Sequence, residues 1–298
     1  FWLKRLLDRC RMVMQGAWMA RSCNRRFVWT SAPRQPARKS RAKVLALEAQ
    51  LSESSSLIDL LAVVDTASST AWRPKSLSIA WHRLAKHGAA TGRPTAGAPC
   101  PSNRSADVQR AMQHLTRLLE QCQIPAFKPR ELANMTWAWG KLRSHASQPL
   151  LGMCNHALHR LGEFHAQHIS NMVYALGLLG YADEHFLEEI CSHILARLDE
   201  FKPQEISNTV YALGLLGYKH DSFLKAVCSH ASFRLSEFSS QNISNVVYAL
   251  GLLGYKHDDF VKAVCFHIPA RLDQFSAQNI SNSVYGLGLL YPCHPRNL

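Results

Sequence analysis

The first 43 residues contain almost no acidic side chains. They hold 12 Lys and Arg against a single acid, Asp8, whereas the remaining residues hold 22 Lys and Arg against 20 Asp and Glu. The formal charge of +13 therefore belongs almost wholly to the N-terminus, and it is no evidence that the body binds nucleic acid. An Arg-rich, Ser-containing segment without acids is typical of an organelle transit peptide. We predict that residues 1–43 are a disordered targeting segment; a basic tail that contacts RNA is the alternative.

The sequence also lacks the patterns of membrane proteins and enzymes. Its longest uncharged apolar stretch, around Val173–Tyr181, is far shorter than the roughly 20 residues that span a bilayer. The nine cysteines form no CxxC pair, and there is no HExxH and no Gly-rich phosphate loop. We therefore expect a non-enzymatic protein without a cofactor, a metal, a membrane partner or a small-molecule substrate.

What the chain does contain is a repeat of 37 residues. Tyrosine, cysteine, histidine and arginine recur in the same phase as two further markers, which are Phe127, Phe164, Phe201, Phe238 and Phe275, and Asn134, Asn171, Asn208, Asn245 and Asn282. Several markers in one phase predict an array in which each repeat packs on its neighbours.

Each repeat is predicted to be a pair of helices. In the third, Pro203 suits a first helical turn, Gly217 suits a helix end and Asp221 suits an N-cap. We predict an all-α fold, a right-handed α-solenoid of helix-turn-helix repeats. In the first helix of the pair, the side with Tyr211 and Leu215 is expected to pack against a neighbour, and only a narrow strip is expected to be free.

Outside the regular repeats the pattern weakens. We expect divergent helical repeats over residues 44–124, with a loop inserted at 89–105, and regular repeats over 125–291, the last of them incomplete. Residues 292–298 are expected to form a tail, and the uncapped apolar end predicts that the native protein continues.

The repeat motif resembles that of organellar helical-repeat RNA-binding proteins. Its signature is Phe-Lys-Pro-Gln/Arg-Glu-Leu/Ile-Ala/Ser-Asn followed by Trp/Tyr-Ala-Leu/Trp-Gly, as at 127–142 and 201–216. Such proteins include the octotricopeptide-repeat proteins, the FAST-kinase-like proteins and the repeat subunits of the mitochondrial RNA-editing substrate-binding complex. The resemblance implies binding of single-stranded RNA, and of other RNA-processing proteins, in a mitochondrion or alternatively a plastid. The role implied is in RNA processing, editing or stability.

Comparison of the repeats suggests which residues contact RNA. Gln204–His220 and Gln241–His257 differ only at two places, which hold Glu205 and Thr209 in one copy and Asn242 and Val246 in the other. Positions four apart lie on one helix face, and RNA-reading repeats use two or three side chains each. We hypothesise that these pairs and the recurring asparagines contact bases: Glu131, Asn134, Met135, His168, Asn171, Met172, Glu205, Asn208, Thr209, Asn242, Asn245, Val246, Asn279, Asn282 and Ser283.

Each of these assignments has an alternative. The variable pairs can reflect drift at exposed positions, and the asparagines can hydrogen-bond a turn of the neighbouring repeat. Four recurring arginines are weak candidates for phosphate contacts, with local pairing to Glu as the stronger interpretation: Arg160, Arg197, Arg234 and Arg271. The Cys-x-His pairs cannot share a metal ion, because positions i and i+2 point apart on a helix.

For the whole chain, the alternative function is a protein–protein scaffold of the HEAT or armadillo kind, which the near-neutral body favours.

Overall fold

The computed structural model describes residues 38–88, 102–144 and 147–292. Within these ranges the chain forms thirteen α-helices, joined by turns and short 3₁₀ segments, and no β-strand. The predicted α-solenoid is confirmed, since the helices pack in sequence along the array. None of the described helices is long and apolar enough to cross a membrane. The predicted tail, most of the inserted loop and the N-terminal segment up to residue 37 lie outside the described residues.

The N-terminal part contains four helices, which are α1 (Arg38–Glu53), α2 (Leu57–Thr66), α3 (Pro74–Gly88) and α4 (Ser102–Glu120). Helix α1 begins inside the segment 1–43, so the predicted boundary at residue 43 is wrong for its last six residues. Helix α4 begins at Ser102, inside the predicted loop. Both α1 and α2 pack against α3, and Ser56 and Asp59 close a capping box at the start of α2.

The regular repeats alternate inner and outer helices. The inner helices are α5 (Pro129–Leu142), α7 (Ala166–Leu179), α9 (Pro203–Leu216), α11 (Ser240–Leu253) and α13 (Ala277–Leu290). The outer helices are α6 (Ser147–Leu158), α8 (Glu184–Leu195), α10 (Asp221–Ser232) and α12 (Asp258–His267). Successive helices of each set begin 37 residues apart, so equivalent residues occupy equivalent places along the array.

The turn after each of the inner helices α7, α9 and α11 depends on a glycine. Gly217 ends α9 in the left-handed region, at φ 66°, where a side chain on most other residues would be strained. The amide of Tyr218 then donates to the carbonyl of Leu213 at 3.0 Å, which satisfies a carbonyl that the helix leaves free. The chain thereby reverses within a few residues and starts the outer helix at Asp221.

A single apolar core runs along the array. The phenylalanine that opens each repeat follows a 3₁₀ turn and is buried; Phe201, for example, is 1% exposed. Phe223 and Val227 of the outer helix are buried with Ile206 and Leu213 of the inner helix. Burial of apolar side chains contributes about 25 cal/mol per Å², so this shared core is what makes each repeat depend on its neighbours.

Successive inner helices approach each other to backbone contact. A Cβ built on Gly214 would lie 2.8 Å from the Cα of Ala249, and one built on Gly177 would lie 2.7 Å from the Cα of Ala212. The strip that contains Gly214 therefore serves the close approach of neighbouring inner helices. Outer helices contact one another much less than inner helices do.

We predict that Gly214→Ala lowers the free energy of unfolding by roughly 1–3 kcal/mol, because the added methyl group overlaps the backbone of α11. The matched control is Gly288→Ala at the equivalent place in α13, where an added Cβ meets nothing within 4 Å. There, stability should be unchanged or raised by up to about 1 kcal/mol through helix propensity. Urea denaturation of both variants measures the difference, and equal effects would contradict the close approach.

Candidate functional site

The accessible surface of the inner helices is a narrow strip on each helix. In α9 it is formed by Gln204, Asn208, Tyr211 and Leu215, which are spaced i, i+4, i+7 and i+11 and are at least partly exposed. The equivalent residues of the other repeats are Gln167, Asn171, Tyr174 and Leu178, then Gln241, Asn245, Tyr248 and Leu252, then Gln278, Asn282, Tyr285 and Leu289. We call these sixteen residues the inner face.

The expected orientation of these helices was wrong. The side with Tyr211 and Leu215 is open, and the strip with Ser207 and Gly214, both buried, packs against the next inner helix. Small side chains permit backbone contact, whereas the long side chains of Tyr and Leu cannot enter so narrow an interface. The two amides on the Tyr211 side were the signal in the sequence, because an unpaired amide is costly to bury.

The tyrosines of the inner face form a continuous row of rings. Centroid distances are 6.3 Å from Tyr174 to Tyr211, 6.0 Å from Tyr211 to Tyr248 and 5.8 Å from Tyr248 to Tyr285. Successive ring planes are tilted by 32–33°. Partial burial raises the pKa of Tyr174, Tyr211 and Tyr248, so their hydroxyl groups stay protonated at neutral pH and can donate hydrogen bonds.

The recurring asparagines accompany this row. Among the described residues, no hydrogen bond joins the side chain of Asn171, Asn208 or Asn245 to any protein group, and the same holds for Asn134 and Asn282. The alternative role, a hydrogen bond to a turn of the neighbouring repeat, is therefore wrong. Each amide offers two donors and one acceptor oxygen to a ligand.

The N-terminal end of the same surface is basic. At the positions equivalent to Gln204 and Leu215, helix α5 has Arg130 and Lys141, both exposed, and Trp137 stands in the tyrosine row. The ammonium group of Lys141 lies 6.0 Å from the centroid of Trp137, and the ring of His82 lies 5.1 Å from it. Burial, followed by the charges of Arg83, Lys86 and Arg130, lowers the pKa of His82.

Four of the five first members of the variable pairs cap the inner helices; Asn279 is the exception. Glu205 accepts a hydrogen bond from the amide of Lys202 at 2.8 Å, and Glu131 accepts one from that of Lys128 at 2.9 Å. His168 holds the equivalent position with a longer contact, 3.4 Å from the amide of His165 to Nδ1. Asn242 accepts from Ser239 and donates to the Ser207 hydroxyl at 2.9 Å. Asn279 donates to the hydroxyl of Ser240 in the preceding inner helix at 3.1 Å.

The second members of the pairs are not on a free strip. Each is at most 3% exposed, and the five residues are Met135, Met172, Thr209, Val246 and Ser283. Their placement on an RNA-contacting surface is therefore wrong. One turn beyond the capping residue, this position lies on the buried side of the inner helix. The Thr209 hydroxyl donates back to the carbonyl of Glu205 at 2.8 Å, so this polar group is satisfied inside the protein.

Three of the four recurring arginines connect consecutive repeats. Arg197 pairs with both carboxylate oxygens of Glu200, at 2.6 and 3.0 Å, and donates to the Phe164 carbonyl of the preceding repeat at 3.3 Å. Arg160 makes the same contacts with Glu163 and with the Phe127 carbonyl. Arg234 pairs with Glu237, and Arg271 donates to Gln274 and to the Phe238 carbonyl. Local pairing, rather than an open phosphate site, is what the geometry shows.

The Cys-x-His pairs contribute separately to the same interfaces. Cys154, Cys191 and Cys228 are buried, and burial raises the pKa of each thiol to about 12, so these thiols are unreactive. The exposed Cys265 differs, because no further outer helix follows α12 among the described residues. The histidine Nε2 atoms face the arginines instead; the distance is 2.8 Å from His193 to Arg197 Nη1.

A family model described as RNA-editing substrate-binding complex 6 protein matches residues 130–287. This range is just over half of the chain and extends from the first turn of α5 to the last turn of α13. It therefore contains all sixteen residues of the inner face except the last, Leu289. No curated protein matches the chain.

We predict that acid weakens the repeat interfaces through the ladder histidines, His156, His193, His230 and His267. Burial, and then the neighbouring arginine, lowers the pKa of each below the ordinary 6.5. A lowered pKa favours the neutral ring in the folded protein, so its contribution is complete above about pH 6.5 and is lost as pH falls through the folded-state pKa. The melting temperature should therefore drop between about pH 7.5 and pH 5.5.

The double variant His156→Gln and His193→Gln should show a smaller drop, because the Gln carbonyl accepts the arginine hydrogen bond without titrating. The control is His185→Gln at an exposed position of α8, and it should behave as the unmodified protein. An unchanged pH profile in the double variant would contradict the proposed origin of the effect.

Proposed function

The chain belongs to the family of RNA-editing substrate-binding complex 6 proteins, and from this membership we propose that it is a non-catalytic subunit that binds single-stranded RNA along its inner face. The resemblance to the repeat subunits of the mitochondrial RNA-editing substrate-binding complex is thereby confirmed. The family name describes a complex that binds the substrates of RNA editing. The role proposed for this chain is in RNA processing, editing or transcript stability, in a mitochondrion, with a plastid as the alternative.

The observation that carries the proposal is the row of tyrosine rings beside a row of unpaired amides. Proteins that bind single strands stack bases on aromatic side chains, which contributes about 1–3 kcal/mol per base. Asparagine and glutamine amides hydrogen-bond the edges of bases that are not paired with another strand. Both kinds of group recur once in every repeat of the inner face, which suits the binding of one nucleotide per repeat.

The distance between successive tyrosine rings favours an RNA strand whose bases are not stacked on one another. Ring centroids are 5.8–6.3 Å apart, whereas stacked bases in a helix rise by about 3.4 Å. A strand that follows the tyrosines must therefore separate its bases, and a duplex cannot do so without losing its stacking. Single-stranded RNA is consequently the form that the inner face accommodates.

The basic end of the surface supplies attraction for phosphates. Arg130 and Lys141 are exposed on α5, and Lys86 is exposed on α3, while the four following inner helices present no charged residue in their strips. Cations that neutralise phosphates release counterions, so the affinity they provide falls as salt is added. This distribution supports electrostatic attraction of phosphates at the basic end of the surface and stacking of bases on the tyrosines along the rest of it.

A second function, contact with other proteins of a complex, is favoured by the outer helices. Phe266 in α12 and Phe233, which directly follows α10, are 87% and 92% exposed, and exposed aromatic side chains are typical anchors of protein interfaces. This surface lies on helices other than those of the inner face, so the two functions do not compete. The alternative role as a protein–protein scaffold is therefore compatible with RNA binding.

We predict that the double variant Tyr211→Leu and Tyr248→Leu weakens binding of single-stranded RNA by roughly 5- to 100-fold per ring removed, because stacking is lost. Leucine keeps part of the apolar contact at these half-buried positions. The matched control is Tyr218→Leu and Tyr255→Leu, whose hydroxyl groups contact Glu188 and the Asp221 carbonyl away from the inner face. Fluorescence anisotropy with a labelled RNA measures Kd, and equal loss in both pairs would argue against the inner face.

We further predict that Arg130→Gln with Lys141→Leu, which copies the α7 residues Gln167 and Leu178, weakens binding most at low salt. If both cations meet phosphates, the slope of log K against log salt should become shallower by about 1.4, since each contact to a single strand contributes about 0.7. An unchanged slope would show that the phosphates bind elsewhere. RNA binding that is absent even at low salt would leave protein contact as the function.

A further inference from the structure

We infer that the inner face prefers a tract of one repeated nucleotide and does not read a mixed sequence; this rests on the proposed function. The four strips from α7 to α13 present the same residue types in the same order, Gln, Asn, Tyr and Leu. The base that fits one strip best therefore fits all four best. A surface that distinguishes successive bases would need different side chains in successive repeats.

The residues that do differ between repeats are engaged in helix capping or in packing. The carboxylate of Glu205 accepts the amide hydrogen bond of Lys202, and the equivalent Asn242 bonds to Ser239 and Ser207. Thr209 and Val246 are each 0% exposed. Variation at these positions changes how a helix is capped and how it packs, and it leaves the four side chains of each strip the same.

Uniformity of the inner face is not a general property of the repeats. Exposed positions of the outer helices differ from one repeat to the next: one holds His185, Ser222 and Asp259, and another holds Glu188, Lys225 and Lys262. Exposed positions have therefore diverged on the outer side of the same repeats. The inner face has kept its residues although its asparagines have no hydrogen-bond partner among the described residues to hold them. A ligand that makes the same contact in every repeat accounts for this difference.

The residue types of the four strips also limit how strongly each repeat can distinguish one base from another. The four strips contain no arginine, lysine, aspartate or glutamate, which are the side chains that pair most selectively with guanine or cytosine. Preference at each repeat rests on one asparagine, one glutamine and one ring. A modest preference repeated four times becomes a large one for a uniform tract, because the contributions of equivalent contacts multiply in the binding constant.

The experiment compares short RNAs of equal length, about 12 nucleotides, with the full chain. They are the four homopolymers, an alternating RNA that contains the best-bound nucleotide and one other, and a block RNA of the same composition. The best homopolymer should bind most tightly, the block RNA nearly as well, and the alternating RNA at least about tenfold more weakly, because half of its contacts are mismatched. Reversing the order of the two blocks should not change Kd by more than about twofold.

Selection of bound sequences from a random RNA pool is a second experiment that can contradict the inference. Enrichment of a defined mixed sequence over every homopolymer would overturn the inference and leave RNA binding intact, as would equal affinity for all of these RNAs. Absence of binding to any RNA would overturn the proposed function and the inference together. Enrichment of single-nucleotide tracts would support both.

A matched variant tests whether the internal residues contribute. Glu205→Asn with Thr209→Val makes α9 carry the residues of α11 at both positions, so both the cap and the packing have a precedent in the chain. This variant should keep the same order of affinities. Asn208→Asp, which places a negative charge in one strip, should reduce the advantage of the uniform tract, because one contact then differs from the other three. A changed order in the first variant, or an unchanged advantage in the second, would contradict the inference.

Discussion

The close contact of successive inner helices governs the rest of the structure. Because Gly214 has no side chain, the backbone of α11 lies against that of α9, with Ala249 as the facing residue. The same contact recurs between Gly177 and Ala212. Interfaces this narrow admit only small groups, so the long side chains of each inner helix must point to the core or to the open strip. The position of the tyrosine row follows from this exclusion.

The close contact also sets the spacing of the functional groups. Rings on neighbouring helices come within 5.8–6.3 Å only because the helices themselves touch. The outer helices, which contact one another less, hold no such row of rings among the described residues. Instead, Arg197 connects two repeats by donating to the Phe164 carbonyl, and the nearby Glu200 carboxylate holds its guanidinium group in place. Neighbouring repeats therefore meet at two kinds of interface. The contact between inner helices is sensitive to added side-chain volume, and the polar contact that the arginines make is sensitive to pH.

Much of the fold could be predicted from periodicity. The phase of the phenylalanines, the helix-ending Gly217 and the first-turn Pro203 correctly indicated paired helices. The open face could not be predicted in the same way, because α9 is apolar on nearly every side and its helical wheel offers several candidate strips. Only the partner helix shows that Gly214 is covered and Tyr211 is open. The capping role of Glu205 was also missed, although the spacing from Lys202 fits a capping pattern.

Variation between repeats is informative only when burial is known. On the sequence alone, Glu205 and Thr209 stand out because they change, and change at exposed sites suggests recognition of different bases. The structure reverses that argument, since one residue is a cap and the other is buried. A buried or capping position tolerates any residue that fills the same space or makes the same bond. Neither constraint applies to Asn208, which is partly exposed and forms no side-chain hydrogen bond among the described residues, and we propose that bound RNA accounts for its constancy.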